Sequence, residues 1–115
     1  MSRAFAALAD PTRRDIVARL SVGDATLSQL AEHYDVSIQA VSKHLSVLEK
    51  AGLISRSRRA QTRPAHLEAA KLGELTTWIE HYQRRAEERY SRLDALLAEL
   101  NETPRPPRRT QKDQA

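Results

Sequence analysis

A mostly α-helical fold carrying one small β-hairpin is what this sequence predicts, and three observations carry that expectation. Apolar residues make up 40% of the 115-residue chain but aromatics only 4%, a balance that suits a Leu/Ala-rich helical bundle better than a β-sandwich built from branched and aromatic strands. Between Leu30 and Ile54 the chain reads as a short helix, a tight turn and a second helix, apolar on one side and small and polar on the other. From Leu72 onward apolar residues recur at spacings of three and four, the period of a long amphipathic helix.

Arg3 to Ala9 form a short helical stretch with Phe5 and Leu8 on one side. Asp10-Pro11 then restarts the chain, Asp10 as N-cap and Pro11 at the first helical position, where a missing N–H costs nothing. The helix that follows, to Leu20, is expected to bury Ile16, Val17 and Leu20, and Val22-Gly23-Asp24 turns the chain. Thr26 and Gln29 have the spacing of a capping box, for a helix with Leu27, Leu30 and Ala31 on one side. Asp35 and Val36 leave only a short turn before Ser37, the N-cap of a helix from about Ile38 to Ala51 that Gly52 closes in the left-handed conformation. Two helices joined that tightly form a helix-turn-helix, whose second helix enters the major groove of DNA.

On a helical wheel of about 100° per residue, Ser42, Lys43, Ser46 and Lys50 fall within roughly 60° of Gln39. Val41, Leu45, Leu48 and Ile38 cluster opposite, toward the core. The free face thus carries an amide, two short hydroxyls and two ammonium groups, the types that bond base edges and phosphate oxygens. An amphipathic helix with a solvated polar face is also the commonest helix of any soluble protein; the tight turn before it is what favours the groove.

Leu53 to Glu68 is too polar for a core helix and alternates roughly at both ends. It reads as a hairpin with its tip near Arg59 to Thr62, although the turn lacks Gly or Asn and Pro64 cannot donate to a ladder. Arg56, Arg58, Arg59 and Arg63 project from it with few acidic neighbours, either a phosphate-contacting footprint or a solvated arginine-rich loop. The final helix carries Leu72, Leu75, Ile79, Tyr82, Ala86, Leu93, Leu97 and Leu100 along one seam, with Tyr90 in its gap, Trp78 and Leu96 beside it, and Arg84, Arg85, Glu87, Glu88 and Arg89 on its flank. About 29 residues would span roughly 44 Å, more than so small a domain covers by itself, so part of the seam is expected to meet a second copy of the chain. Residues 1–101 are read as one domain and residues 102–115, with Pro104, Pro106 and Pro107 among basic residues, as a disordered tail.

The formal net charge is +4, which favours an anionic partner such as double-stranded DNA. No apolar run approaches the ~20 residues of a membrane span, and the N-terminus lacks a signal-peptide core, so a cytoplasmic protein without a membrane partner is expected. The chain has no cysteine, which removes disulfides, thiolate metal sites and cysteine nucleophiles together. No nucleophile-base-acid set, phosphate-cradling glycine loop or spaced metal ligands are present in the sequence, and an enzyme is not expected. A winged-helix module docking an acidic protein is the alternative, but the small face of Gln39, Ser42 and Ser46 lacks the large aromatic anchors that protein hot spots favour.

The order of elements resembles the winged helix-turn-helix repressors of the ArsR/SmtB family over about Arg3 to Leu100. Ala7-Leu8-Ala9-Asp10-Pro11-Thr12-Arg13-Arg14 is similar to that family's opening signature, and Val41-Ser42-Lys43-His44-Leu45-Ser46-Val47-Leu48-Glu49-Lys50-Ala51-Gly52-Leu53-Ile54 to its recognition helix running into the wing. The resemblance implies a bacterial homodimer that binds an inverted repeat and represses transcription until an inducer, of unknown identity here, lowers its affinity. By position, Ser37, Gln39, Ser42, Lys43, His44 and Ser46 would face DNA, with Arg56, Arg58, Arg59 and Arg63 on flanking phosphates. His44, at the edge of the apolar arc, reads equally as a structural hydrogen bonder. The implied dimer interface pairs Phe5 and Leu8 with Leu75, Ile79, Tyr82, Leu93 and Leu97. The metal-sensing members' paired cysteines are absent, and Glu80 and His81 are adjacent, about 100° apart on a helix, with no second histidine following; at most a weak site with Glu88 or a partner subunit is left. The chain is therefore similar to the branch that senses no metal, and no cofactor is expected.

Overall fold

The computed structural model describes residues 1–58 and 61–102. Five helices and one hairpin follow in the order α1 (Ser2–Leu8), α2 (Pro11–Leu20), α3 (Leu27–Ala31), α4 (Ile38–Lys50), β1 (Ile54–Arg56), β2 (Ala65–Leu67) and α5 (Ala69–Glu102). The mostly helical class with a hairpin wing is thus as the sequence predicts. Arg59 and the tail beyond Glu102 lie outside the described residues, and α5 runs one residue past the domain boundary read from the sequence.

Local capping chemistry sets the helix starts. The Asp10 carboxylate accepts from the backbone N–H of Arg13 at 3.0 Å, and Pro11 opens α2. That bond holds the Asp10 carboxyl below its ordinary range. Thr26 and Gln29 form the reciprocal capping box at 3.2 and 2.9 Å. Ser37 Oγ accepts from the Ala40 N–H at 3.1 Å. At the far end of α4, Gly52 takes φ 80°. Its N–H reaches the Glu49 carbonyl, and the Leu53 N–H reaches the Leu48 carbonyl, both at 3.0 Å. This is the Schellman closure, which answers orphan helix-end carbonyls and needs a left-handed residue at Gly52.

The chain divides into two compact units, Met1–Thr76 and Thr77–Ala115. The core belongs to the first: Ala4 and Ala7 of α1, Ile16 and Leu20 of α2, Leu30 of α3, Val41, Leu45 and Leu48 of α4, then Ala51, Leu53, Ile54, Ala65 and Leu75. Two expectations are corrected. Ile38 is 50% exposed, because as the first residue of α4 it follows the exposed turn Asp35–Ser37 and lies a full turn short of Val41. Val17 is half-buried, packed on the rim of the core. Phe5 and Leu8 pack partly against that core, while the small Ala4 and Ala7 let α1 approach it closely.

The hairpin is antiparallel, with Ile54 opposite Leu67, Ser55 opposite His66 and Arg56 opposite Ala65. Arg63 takes φ 45°, the left-handed place a glycine would usually fill; the Arg56 Nε donates to its carbonyl at 3.0 Å and so holds that residue. Ala25, ahead of α3, adds a bridge on the other edge of β2: Ala65 N–H to Ala25 carbonyl at 2.7 Å, and Ala25 N–H to Ala65 carbonyl at 3.2 Å.

In the second unit the described residues belong to α5, which carries Trp78, Ile79, Tyr82, Tyr90, Leu93, Leu96, Leu97 and Leu100 exposed, from 44% at Trp78 to 66% at Leu100. The Trp78 and Tyr82 rings pack at a 52° tilt with centroids 4.7 Å apart, and the Arg85 guanidinium lies 5.7 Å from the Tyr82 ring.

Replacing Gly52 with Ala forces a Cβ into a left-handed position and to within 3.3 Å of Lys71 Cε. The lysine end can move, so backbone strain dominates, and urea unfolding at fixed protein concentration should show a loss of about 1–2 kcal/mol.

Candidate nucleic-acid interface

Helix α4 owes its orientation to the side it buries. Val41, Leu45 and Leu48 are all 0% exposed, and at helical spacing they leave Gln39, Lys43, Ser46 and Lys50 in solvent with Ser42 half-buried between the two faces. The polar set expected from the wheel therefore stands together on one open strip. Among the described residues no buried side chain is polar or charged, so nothing in the core competes for the hydrogen-bonding groups of that strip. Ser37 lies at its N-terminal end with its oxygen engaged as the cap.

His44 sits on the flank of the helix. Its side chain is 22% exposed, with Nδ1 3.2 Å from Arg13 Nη1 and 3.9 Å from Asp10 Oδ2. Of the hairpin arginines, Arg58 and Arg63 are exposed, whereas Arg56 is half-buried and uses its Nε on the turn.

Three side-chain clusters that tie elements of the first unit together lie outside the site predicted from the sequence. Arg13 Nε donates to the Ala7 carbonyl at 2.6 Å, and Arg14 Nη1 donates to the carbonyls of Leu8 and Ala9 at 2.8 and 3.0 Å. Two cations thus complete the C-terminal end of α1, where the helix dipole is negative. Tyr34, in the turn between α3 and α4, donates its hydroxyl to Asp15 Oδ2 at 2.5 Å; Arg19 Nε reaches the same oxygen at 2.9 Å, with its guanidinium 5.8 Å from the Tyr34 ring. The tyrosine hydroxyl bond, then Arg19, lowers the Asp15 carboxyl below its usual range, and burial followed by Asp15 raises the phenol. The i, i+4 spacing of Asp15 and Arg19 could have pointed to the ion pair, but the tyrosine lies 19 residues away. On the wing, His66 Nδ1 is 2.9 Å from Asp24 Oδ1, one residue along from the Ala25–Ala65 bridge.

No group of three or more His, Asp or Glu side chains among the described residues gathers where a metal ion would sit. Nor is any helix there long and apolar enough to cross a membrane.

A helix-turn-helix domain family matches residues 8–56, the stretch from the end of α1 through β1. The transcriptional repressor SdpR of Bacillus subtilis (strain 168) is 37% identical over 79 residues, covering 69% of this chain and 88% of that protein. The chain belongs to the ArsR/SmtB family of winged helix-turn-helix regulators. The HTH-type transcriptional regulator Rv2034 of Mycobacterium tuberculosis is 40% identical over 91 residues, 79% of this chain and 85% of that one. The crystal structure of an ArsR family transcriptional regulator superposes with a TM-score of 0.70 at 35% identity, covering 75% of this chain and 94% of that chain. This ArsR-family member is a DNA-binding transcriptional regulator, and the protein-docking alternative is not favoured.

The wing pair titrates. Asp24, through its hydrogen bond first and its charge second, raises the His66 imidazole above its ordinary value of 6.5. A raised folded-state value means that the pair contributes fully below about pH 6.5 and is lost as the pH climbs through the raised value. Asp24→Asn should therefore lower the melting temperature at pH 6 and leave it unchanged at pH 9; a difference that persists at pH 9 would assign Asp24 another role.

Proposed function

We propose that this ArsR-family regulator is a cytoplasmic homodimeric repressor that reads an inverted-repeat operator with α4 and holds the flanking backbone with the wing. The observation that carries this reading is the open strip of Gln39, Ser42, Lys43 and Ser46, backed by three fully buried apolar residues. A helix so held presents its polar side as a rigid edge, and small side chains let its backbone come close to the base pairs. Gln39 offers an amide that can pair with adenine N6 and N7, and Lys43 an ammonium suited to guanine or phosphate oxygens. Arg58 and Arg63 supply charge that is independent of sequence. The likeness to SdpR, itself named a repressor, supports repression.

Support for the dimer comes from α5. Leucines at 93, 96, 97 and 100 are about half exposed or more, and each would gain about 1 kcal/mol on completing its burial, roughly half the value for a fully exposed leucine. Thirty-four residues in α5 at a 1.5 Å rise extend about 51 Å, ample for a shared seam with Tyr82 and Ile79. A second copy brings a second α4, and a two-fold pair of reading helices demands dyad-symmetric sites separated by about one helical turn, ~34 Å. An inducer would act by shifting the population of dimers whose two α4 helices match that spacing.

Selection from a random duplex pool tests the reading: a palindromic winner, bound at least about a thousandfold more tightly than a scrambled duplex at physiological salt, is expected. Gln39→Ala and Ser42→Ala should each cost about 1–3 kcal/mol on the winner and relax preference at one base position. Arg58→Ala should weaken both duplexes alike and lower the salt slope by about one per protomer, about two for the dimer. Equal losses on both duplexes for all three variants would overturn this division of roles.

The dimer has its own test. Leu93→Glu should shift sedimentation toward the monomer and lower affinity for the full palindrome far more than for one half-site. A variant that remains dimeric would remove α5 from the interface.

A further inference from the structure

Among the polar clusters of the first unit, the one around Arg13 joins α1, α2 and α4. Its guanidinium reaches backward to α1, donating from Nε to the Ala7 carbonyl at 2.6 Å and from Nη2 to the Ala6 carbonyl at 3.5 Å. It reaches forward to α4, where Nη1 stands 3.2 Å from His44 Nδ1. Its own backbone N–H is held by Asp10, whose same carboxylate oxygen lies 3.9 Å from the imidazole. A guanidinium only donates, so His44 Nδ1 is the acceptor, and in the neutral ring the proton belongs on Nε2.

The planar fork therefore joins three pieces of chain: the C-terminal carbonyls of α1, the N-terminus of α2, and the middle of α4. The bonds to α1 are to backbone, so they register where the helix stands rather than which side chains it carries. His44 follows Lys43 and lies two residues after Ser42 on the reading helix. A rotation of α4 about its axis that moved those two residues in the groove would also move the imidazole away from the fork. The Arg13 contacts to the Ala7 carbonyl and to His44 are half-buried and direct, short enough to exclude an intervening water.

We propose that Arg13 is a positioning residue that couples the placement of α1 to the angle at which α4 presents its reading strip, with His44 as the receiving group. This rests on the DNA-reading role of α4 proposed above. It also defines what His44 does, since through Nδ1 the imidazole adjusts the rotation that the buried face of α4 sets, and it need not touch a base. Lysine at position 13 would preserve the charge but not the flat, divided set of donors that answers α1 and α4 at once.

The test is a double-mutant cycle read on two duplexes, the winner of the selection and its scrambled counterpart, across a salt series. Arg13→Ala and Arg13→Lys should each weaken binding to the winner by about tenfold, leaving the scrambled duplex and the salt slope unchanged. His44→Ala should do the same, and Arg13→Ala with His44→Ala should lose no more than either alone. His44→Asn, whose Oδ1 can take the place of Nδ1 as acceptor, should restore most of the preference. Should Arg13→Ala fail to fold, Arg13→Lys with the two His44 variants completes the same comparison. Additive losses would overturn the coupling. A salt slope reduced by about one per protomer would make Arg13 a direct phosphate contact, and a lowered melting temperature with preference intact would make the cluster purely structural; either result overturns the proposal. If the unsubstituted chain selects no sequence, the reading role of α4 itself fails, a result distinct from any of these.

Discussion

Everything that this chain can do with α4 depends on how that helix is divided between core and solvent. Val41, Leu45 and Leu48 are fully buried, and they meet residues from α1, α2, α3 and the start of α5 in one small core. Deleting buried leucine side chains costs about 2–5 kcal/mol in such settings, a large share of the 5–15 kcal/mol that typically holds a domain together. The rotation of α4 about its axis is consequently not free. Gln39, Lys43 and Ser46 are aimed by what lies beneath them.

The wing is governed by different physics, since three-residue strands bury little. β1 and β2 each contribute one fully enclosed apolar residue, Ile54 and Ala65. Backbone hydrogen bonds do most of the fixing: the Ala25–Ala65 bridge on one edge of β2, the ladder to β1 on the other, and the Glu68 N–H to the Leu53 carbonyl at 2.8 Å where the hairpin meets α5. Ala25 immediately precedes Thr26, the cap of α3. The wing and the helix-turn-helix are therefore tied through two adjacent residues, and the Asp24–His66 pair adds a charge-dependent fastening beside them.

Much of this is legible in the sequence because it is local. Asp10-Pro11, Thr26 with Gln29, Ser37 and Gly52 declare their helix ends within four residues, and each cap forms with the geometry its chemistry requires. The polar strip of α4 follows from periodicity for the same reason. Ile38 defeats the helical wheel because a wheel has no ends: it assigns a face to the first residue as firmly as to the middle ones, although packing neighbours begin only further along. The Ala25–Ala65 bridge leaves no pattern at all, since a single backbone pair between two alanines has no side-chain period. Arg13 and Tyr34 are hidden by distance. Their partners are carbonyls exposed only where α1 stops and a carboxylate 19 residues back, and neither follows from composition.

Helix α5 changes character along its length. Leu75, still within the first unit, is buried in the core, but from Trp78 onward the large apolar residues remain open to water. Arg84, Arg85, Glu87, Glu88 and Arg89 keep the other faces soluble, and the Gln83 amide and Glu87 carboxylate pair at 3.3 Å along one of them. A helix of this composition in isolation would draw its stability from such i, i+4 contacts, each worth only about 0.2–0.5 kcal/mol, against an exposed stripe whose burial is worth several times more per residue. That imbalance favours association with a matching stripe, and the matching stripe most available is another copy of the same helix. The dimer proposed above would be symmetric, with equivalent residues meeting equivalent residues, and its two-fold axis would follow from the same apolar spacing that makes α5 amphipathic. For the proposed homodimer, dyad symmetry in the operator would be the geometric counterpart of a hydrophobic pattern in the last helix.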